Sequence, residues 1–124
     1  MVLVLPLIRS FICIEDVNNT DDHLRNHGFI YTPQGWCLSP LYDVNPVPYG
    51  DNLSLMVDDK ESTVDVDLAL ETAQYYDINL HEAKSIAADM FRIVKDNWRE
   101  LAKNNGLSRN AIEKMYAAFS MVEK

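Results

Sequence analysis

The run Asn19-Thr20-Asp21-Asp22-His23-Leu24-Arg25-Asn26, followed seventeen residues after Asn26 by Asp43 of the pair Tyr42-Asp43, sets an Asp, an Asn and a second Asp in an order that suits phosphoryl transfer. In a kinase catalytic loop an Asp accepts the proton of the attacking hydroxyl, and an Asn five residues on holds one magnesium ion. A later Asp holds the ions that bridge the phosphates. Asp21 and Asn26 reproduce the five-residue step, and Asp43 supplies the later carboxylate. Each alone has a plainer explanation, because Asp, Asn and Thr gather in turns for local hydrogen-bonding reasons. Together they are more specific, since one reaction needs the base and both metal ligands at once.

His23 and His27 have the four-residue spacing that seats a metal on one helix face, but Gly28 follows at once and no third ligand is evident. The stronger reading of His23 is support, an imidazole hydrogen-bonded to the loop backbone that fixes the conformation presenting Asp21. The acidic residues Asp58, Asp59, Glu61, Asp65 and Asp67 lack the spaced oxygen ligands and central glycine of an EF-hand loop. They read as a solvated loop and a helix start.

Several elements must position these side chains. Phe11 to Val17 is an apolar segment that leads straight into the polar run, so the loop is expected to hang from a buried stretch. Phe29-Ile30-Tyr31 and Trp36-Cys37-Leu38 flank Thr32-Pro33-Gln34-Gly35, where Pro second and Gly fourth suit a type I turn with a bulge. A β-hairpin there would fold the chain back and bring Asn26 and Asp43 within reach of one metal. Pro40 to Asp59 reads as a long irregular loop covering part of a site. Asp65 or Asp67 can cap a short helix over Leu68 to Tyr75. Asn79 with Glu82 begins a long helix whose apolar stripe runs Ala83, Ile86, Ala87, Met90, Val94, Trp98, Leu101. Gly106 ends it, and Ser108 caps a last helix with Ile112, Met115, Tyr116 and Phe119 on one face. Trp36 and Trp98 are both expected in the core.

Composition narrows the function classes. At 124 residues one domain is expected, or a piece of one. A net charge of -8 argues against direct nucleic-acid binding or an anionic membrane surface, both of which need clustered Lys and Arg. Cys13 and Cys37 form neither a disulfide framework nor a zinc signature, which suits a reducing cytoplasm. The apolar start, Met1 to Ile8, lacks a basic leader region, is interrupted by Pro6 and meets Arg9 before reaching spanning length. It reads as a buried strand or helix start.

The segments from Asn19 to Phe29 and from Trp36 to Asp43, with the Asp67-Leu68-Ala69-Leu70 helix, resemble the C-terminal domain of HipA-family serine/threonine kinases, over about residues 18 to 120. The resemblance implies a mainly α, kinase-lobe-like domain with one short β-hairpin. It implies Asp21 as catalytic base, Asn26 and Asp43 as magnesium ligands, and ATP as phosphate donor to a protein hydroxyl. It also implies a toxin of a toxin-antitoxin pair, neutralised by a small DNA-binding antitoxin.

Residues 1–17 depart from the family pattern and are set apart as a divergent apolar segment, leaving 18–124 as the HipA-like domain. Every Lys, from Lys60 on, follows the catalytic-type loop, and Gly28 is the first glycine. No phosphate-gripping Lys or Gly-rich loop therefore precedes the motif, and the expectation is a domain without its ATP-gripping N-terminal lobe, inactive alone. Two other readings stand beside it: a non-catalytic helical module that binds an antitoxin or kinase partner, and a lobe completed in trans by a separately encoded N-terminal half. Met1 to Ile14 is the strip expected to be exposed by a missing lobe, giving a homodimer or a partner complex.

Overall fold

In a computed structural model the described residues are 17–50, 52–55, 60, 62 and 65–123. The expectations for Met1 to Asp16, Cys13 among them, and for Asp58, Asp59 and Glu61 lie outside them. The described chain is mainly α with one short hairpin, as its sequence implies.

The hairpin comprises β1 (Phe29–Thr32) and β2 (Gly35–Leu38), antiparallel with Phe29 opposite Leu38 and Thr32 opposite Gly35. Pro33 and Gln34 both have negative φ, whereas Gly35 has φ 110°, which only glycine adopts readily. That combination fits the type I turn with a glycine bulge and rules out the primed turns. Tyr31 and Trp36 face one another across the strands, ring centroids 5.2 Å apart and edge to face. Trp36 is 62% exposed, which corrects the expectation of a core position. A two-stranded sheet buries a face only if another element packs on it, and Phe29, Ile30, Tyr31 and Trp36 all remain exposed here.

Helix α1 (Val66–Glu71) starts at Asp65, whose carboxylate accepts from the Asp67 amide at 2.9 Å. It begins two residues before the expected Leu68 and tightens into a 3-10 turn over Thr72–Tyr76. The Thr72 hydroxyl bonds back to the Ala69 carbonyl at 2.7 Å, a local competitor for helix geometry. Asp77, at φ 52°, ends the turn in the left-handed region. Helix α2 (Leu80–Asn104) is capped by Asn79, which accepts from the Glu82 amide at 2.9 Å, and Gly106 at φ 83° follows its end. Helix α3 (Arg109–Met115) is capped by Ser108 and runs through a 3-10 turn (Tyr116–Phe119) into the short α4 (Ser120–Glu123).

Three apolar clusters hold these elements, the smallest being Leu53 against Ala69 with Leu68 beside it. Val66, Leu70, Ala73 and Ile78 pack against Ala83 and Ala87 at the start of α2. Near its other end Trp98 joins Ala118, Phe119 and Val122, with the Trp98 and Phe119 rings stacked 4.2 Å apart. The alanines allow close helix approach, and the stacked aromatic pair adds ring contact to the cluster around Trp98. Leu101, on the predicted stripe, is exposed beyond this cluster. Val17 packs against the cluster around Trp98, so the Asn18 to Asn26 loop is anchored to the helical body by the residue that precedes it. Among the described residues no helix is long and apolar enough to cross a membrane.

Candidate functional site

Five contacts bind the loop after the hairpin to the Val17–Thr20 segment. The Asn18 side-chain amide donates to the Val47 carbonyl at 2.6 Å, with longer approaches of 3.4 Å to the Tyr49 and Gly50 carbonyls. The Val47 amide donates to the Val17 carbonyl at 3.4 Å, and the Ser54 hydroxyl to the Thr20 carbonyl at 2.8 Å. Asn18 has φ 51°, a conformation that Asn tolerates better than most residues. At Gly50, φ 89°, an added Cβ would lie 3.3 Å from the Thr20 side chain, so only glycine lets the loop close so tightly.

This stitching leaves a depression of about 500 Å³ lined by Thr20, Asp21, Asn45, Pro46, Val47 and Tyr49 among others. Asp21 is exposed at its wall. Asn45 joins Asp43 to the same depression: its side-chain amide donates to Asp43 Oδ1 at 2.8 Å. Asp43 is exposed and, at φ 58°, left-handed, a backbone state found among the described residues at only two other non-glycine positions, Asn18 and Asp77. Two of those three therefore lie in this region, where stored backbone strain is often tied to function.

Asn26 is buried at the end of a 3-10 turn (Leu24–Asn26). The hairpin returns the chain to it. The Ser39 amide donates to the Gly28 carbonyl at 2.8 Å, and beyond it the Tyr42 hydroxyl donates to the Arg25 carbonyl at 2.7 Å. Residues adjoining Asn26 and Asp43 are thus hydrogen-bonded to one another.

The two histidines behave differently from their sequence reading. His23 Nδ1 is buried without a hydrogen-bond partner, so the expected anchoring to loop backbone is not made through that nitrogen. His27 instead donates from Nε2 to Asp22 Oδ2 at 2.7 Å. Asn19 is 1% exposed and neither polar atom of its amide has a partner. Among the described residues no three His, Cys, Asp or Glu side chains gather as a metal site. Sequence reasoning passed over Asn18, Asp22, Tyr42 and Asn45. The Asn18-Asn19 pair was a signal for left-handed backbone, and the Asp22 to His27 interval was a signal for a loop-closing pair.

A family model for the HipA-like C-terminal domain matches residues 4–121. The chain belongs to this family. The resemblance carried by the Asn19 to Phe29 and Trp36 to Asp43 segments is thereby borne out, and the HipA-like assignment rests on nearly the whole chain. No curated protein and no solved structure matches it.

Proposed function

We propose that this HipA-like domain supplies the catalytic base and metal ligands of an ATP-dependent serine/threonine protein kinase site, and that the clamp for the nucleotide phosphates comes from another lobe. The observation that carries the reading is the Tyr42–Arg25 hydrogen bond, because it ties the segment bearing Asp43 to the turn bearing Asn26 while Asp21 stays open to solvent close by in the chain. Asp21 would take the proton of a substrate hydroxyl as its oxygen attacks the γ-phosphorus and the bond to the β-phosphate oxygen breaks.

The donor set suits magnesium: Asn26 and Asp43 offer hard oxygens, and Mg²⁺ is commonly held by one or two protein carboxylates together with substrate phosphates and waters. When bound, the ion would neutralise charge building on the phosphates. Asn26 is buried and its backbone held by the 3-10 turn, so it would orient rather than search.

Residues 1–20 hold no Lys and no glycine, and clamping of the phosphates supplies most of the catalysis, so these three side chains by themselves should give little rate. Calorimetry of Mg·ATP binding and transfer of labelled phosphate to a general protein substrate, with an Asp21→Asn control, test this. The expected result is weak binding and no transfer by this chain alone. Tight binding with Asp21-dependent transfer would show a complete site and contradict the shared-site reading.

A partner is supported by the exposed hairpin. Phe29, Ile30, Tyr31 and Trp36 all stand open to solvent, and clustered exposed apolar side chains of this kind commonly mark interaction surfaces. We take this face as the surface for the clamp lobe or an antitoxin, and self-association through it would give a homodimer. Sedimentation of the chain against its Tyr31→Ser, Trp36→Ser variant checks the last point: association lost in the variant supports it, and a strict monomer in both excludes the homodimer.

A further inference from the structure

Asp21 and Asn26 are each followed in the chain by a residue that touches the other's neighbour. Asp22 comes next after Asp21, His27 next after Asn26, and their side chains meet at 2.7 Å. We propose that Asp22 and His27 form a clasp that fixes the base and the metal ligand relative to one another, making both positioning residues of the site. This rests on the reading of Asp21 and Asn26 given above.

Little else closes the loop between Asp21 and Asn26. Its middle gets little from packing, since Leu24 and Arg25 are exposed. Its own backbone–backbone bonds are short-range, Asn26 N–H to the His23 carbonyl at 2.8 Å and His27 N–H to the Leu24 carbonyl at 3.3 Å, and the Tyr42 hydroxyl on the Arg25 carbonyl ties only the Asn26 end, not the Asp21 end. A three-residue 3-10 turn with bonds of that kind is marginal by itself. Asp22, by contrast, is 4% exposed, and among the described residues His27 is the one side chain that hydrogen-bonds it. Opening the loop would strand a buried carboxylate, which is costly, so the pair holds the loop closed. The two ends held are those that carry Asp21 and Asn26. A pair serving only to satisfy Asp22 would stabilise the fold without affecting metal affinity, and that difference is measurable.

The probe is Mn²⁺, followed by its electron paramagnetic resonance signal on the full chain, with thermal unfolding and hydrogen exchange of the Asn26 amide measured alongside. His27→Ala should weaken Mn²⁺ binding by roughly tenfold or more, as loss of a group that orients a ligand commonly does. It should also speed Asn26 exchange. His27→Gln, whose Nε2 can still donate to Asp22, should restore both towards wild type. If His27→Ala does not fold, the double variant Asp22→Asn, His27→Ala removes the stranded charge and takes its place, with the same loss expected. Wild-type Mn²⁺ affinity in the folded clasp variant, with affinity lost in Asn26→Ala and Asp43→Ala, would overturn the clasp and leave the metal site standing. Wild-type affinity in Asn26→Ala and Asp43→Ala as well would overturn the metal-site reading and the clasp with it.

Discussion

The Tyr42 hydroxyl donates a 2.7 Å hydrogen bond to the Arg25 carbonyl, so residues seventeen positions apart meet one step before Asn26 and one step before Asp43. The hairpin between them makes this meeting possible by reversing the chain within ten residues, Phe29 to Leu38. Removing the hydroxyl alone tests what the contact does. Tyr42→Phe should cost about 1 kcal/mol of stability, the net worth of one such bond. It should also weaken Mn²⁺ binding, because the Asp43 segment loses its tie to the turn that bears Asn26. Chemical denaturation and Mn²⁺ titration of the same variant read both effects, and an unchanged Mn²⁺ affinity would sever Tyr42 from the site.

Gly50 gives a test of the loop that borders Asp21. Its φ of 89° and the 3.3 Å approach to Thr20 mean that Gly50→Ala meets both backbone strain and a side-chain clash. A loss of about 1–2 kcal/mol is expected from the backbone alone. The amides of Val47 and Thr20 should exchange faster in the variant, since the loop that Asn18 holds would be pushed off the Val17–Thr20 segment. Unchanged stability and exchange would show that the loop is not closed this way.

How much of this was legible beforehand depended on whether the cause was local. Asn79, Ser108 and Gly106 act within one turn of themselves, and the caps and stop they predict are present. The hairpin followed from Pro33 and Gly35 for the same reason. Trp36 was misplaced because burial is decided by what packs on a strand, which period-2 alternation does not reveal. The helix after Asp65 tightened at Thr72 because a side chain bonded its own backbone, a choice that competes evenly with helix. In the candidate loop, spacing singles out Asp21, Asn26 and Asp43 as the residues to test, whereas the side-chain contact that closes the loop is made by His27, with His23 Nδ1 left without a partner. Which of two nearby histidines turns toward a buried carboxylate depends on the 3-10 turn between them, and nothing in the sequence fixes that turn's phase.

A pH-dependent stability difference should arise at the far end of the helical body. Glu123 accepts from the Trp98 indole at 3.0 Å and from Arg99 at 2.9 Å. Its carboxyl is held below the ordinary glutamate value, first by the Trp98 hydrogen bond and then by Arg99, with desolvation opposing both. A lowered value in the folded state stabilises the fold above the unfolded value of about 4.3 and loses that contribution as pH falls below it. Glu123→Gln should therefore be less stable than wild type at pH 7, by about 1 kcal/mol once solvent screening of the exposed Arg99 is allowed for. The gap should close on acidification through that range. A gap that persists undiminished at pH 3 would show that the carboxylate charge contributes nothing.

The central claim is that Asn26 and Asp43 serve one metal ion beside Asp21. Paramagnetic broadening tests it most directly: Mn²⁺ is titrated into the labelled chain while backbone and side-chain amide signals are followed by nuclear magnetic resonance. The account predicts that the Asn26 side-chain amide and the backbone amides of Asn26 and Asp43 broaden first, with Asp21 close behind, while the Trp98 indole in the helical core stays sharp. It also predicts that Asp43→Ala abolishes the effect at all of these positions together. Broadening centred on Asp65 and Asp67 instead, or broadening at Asn26 that survives the loss of Asp43, would contradict a shared metal site.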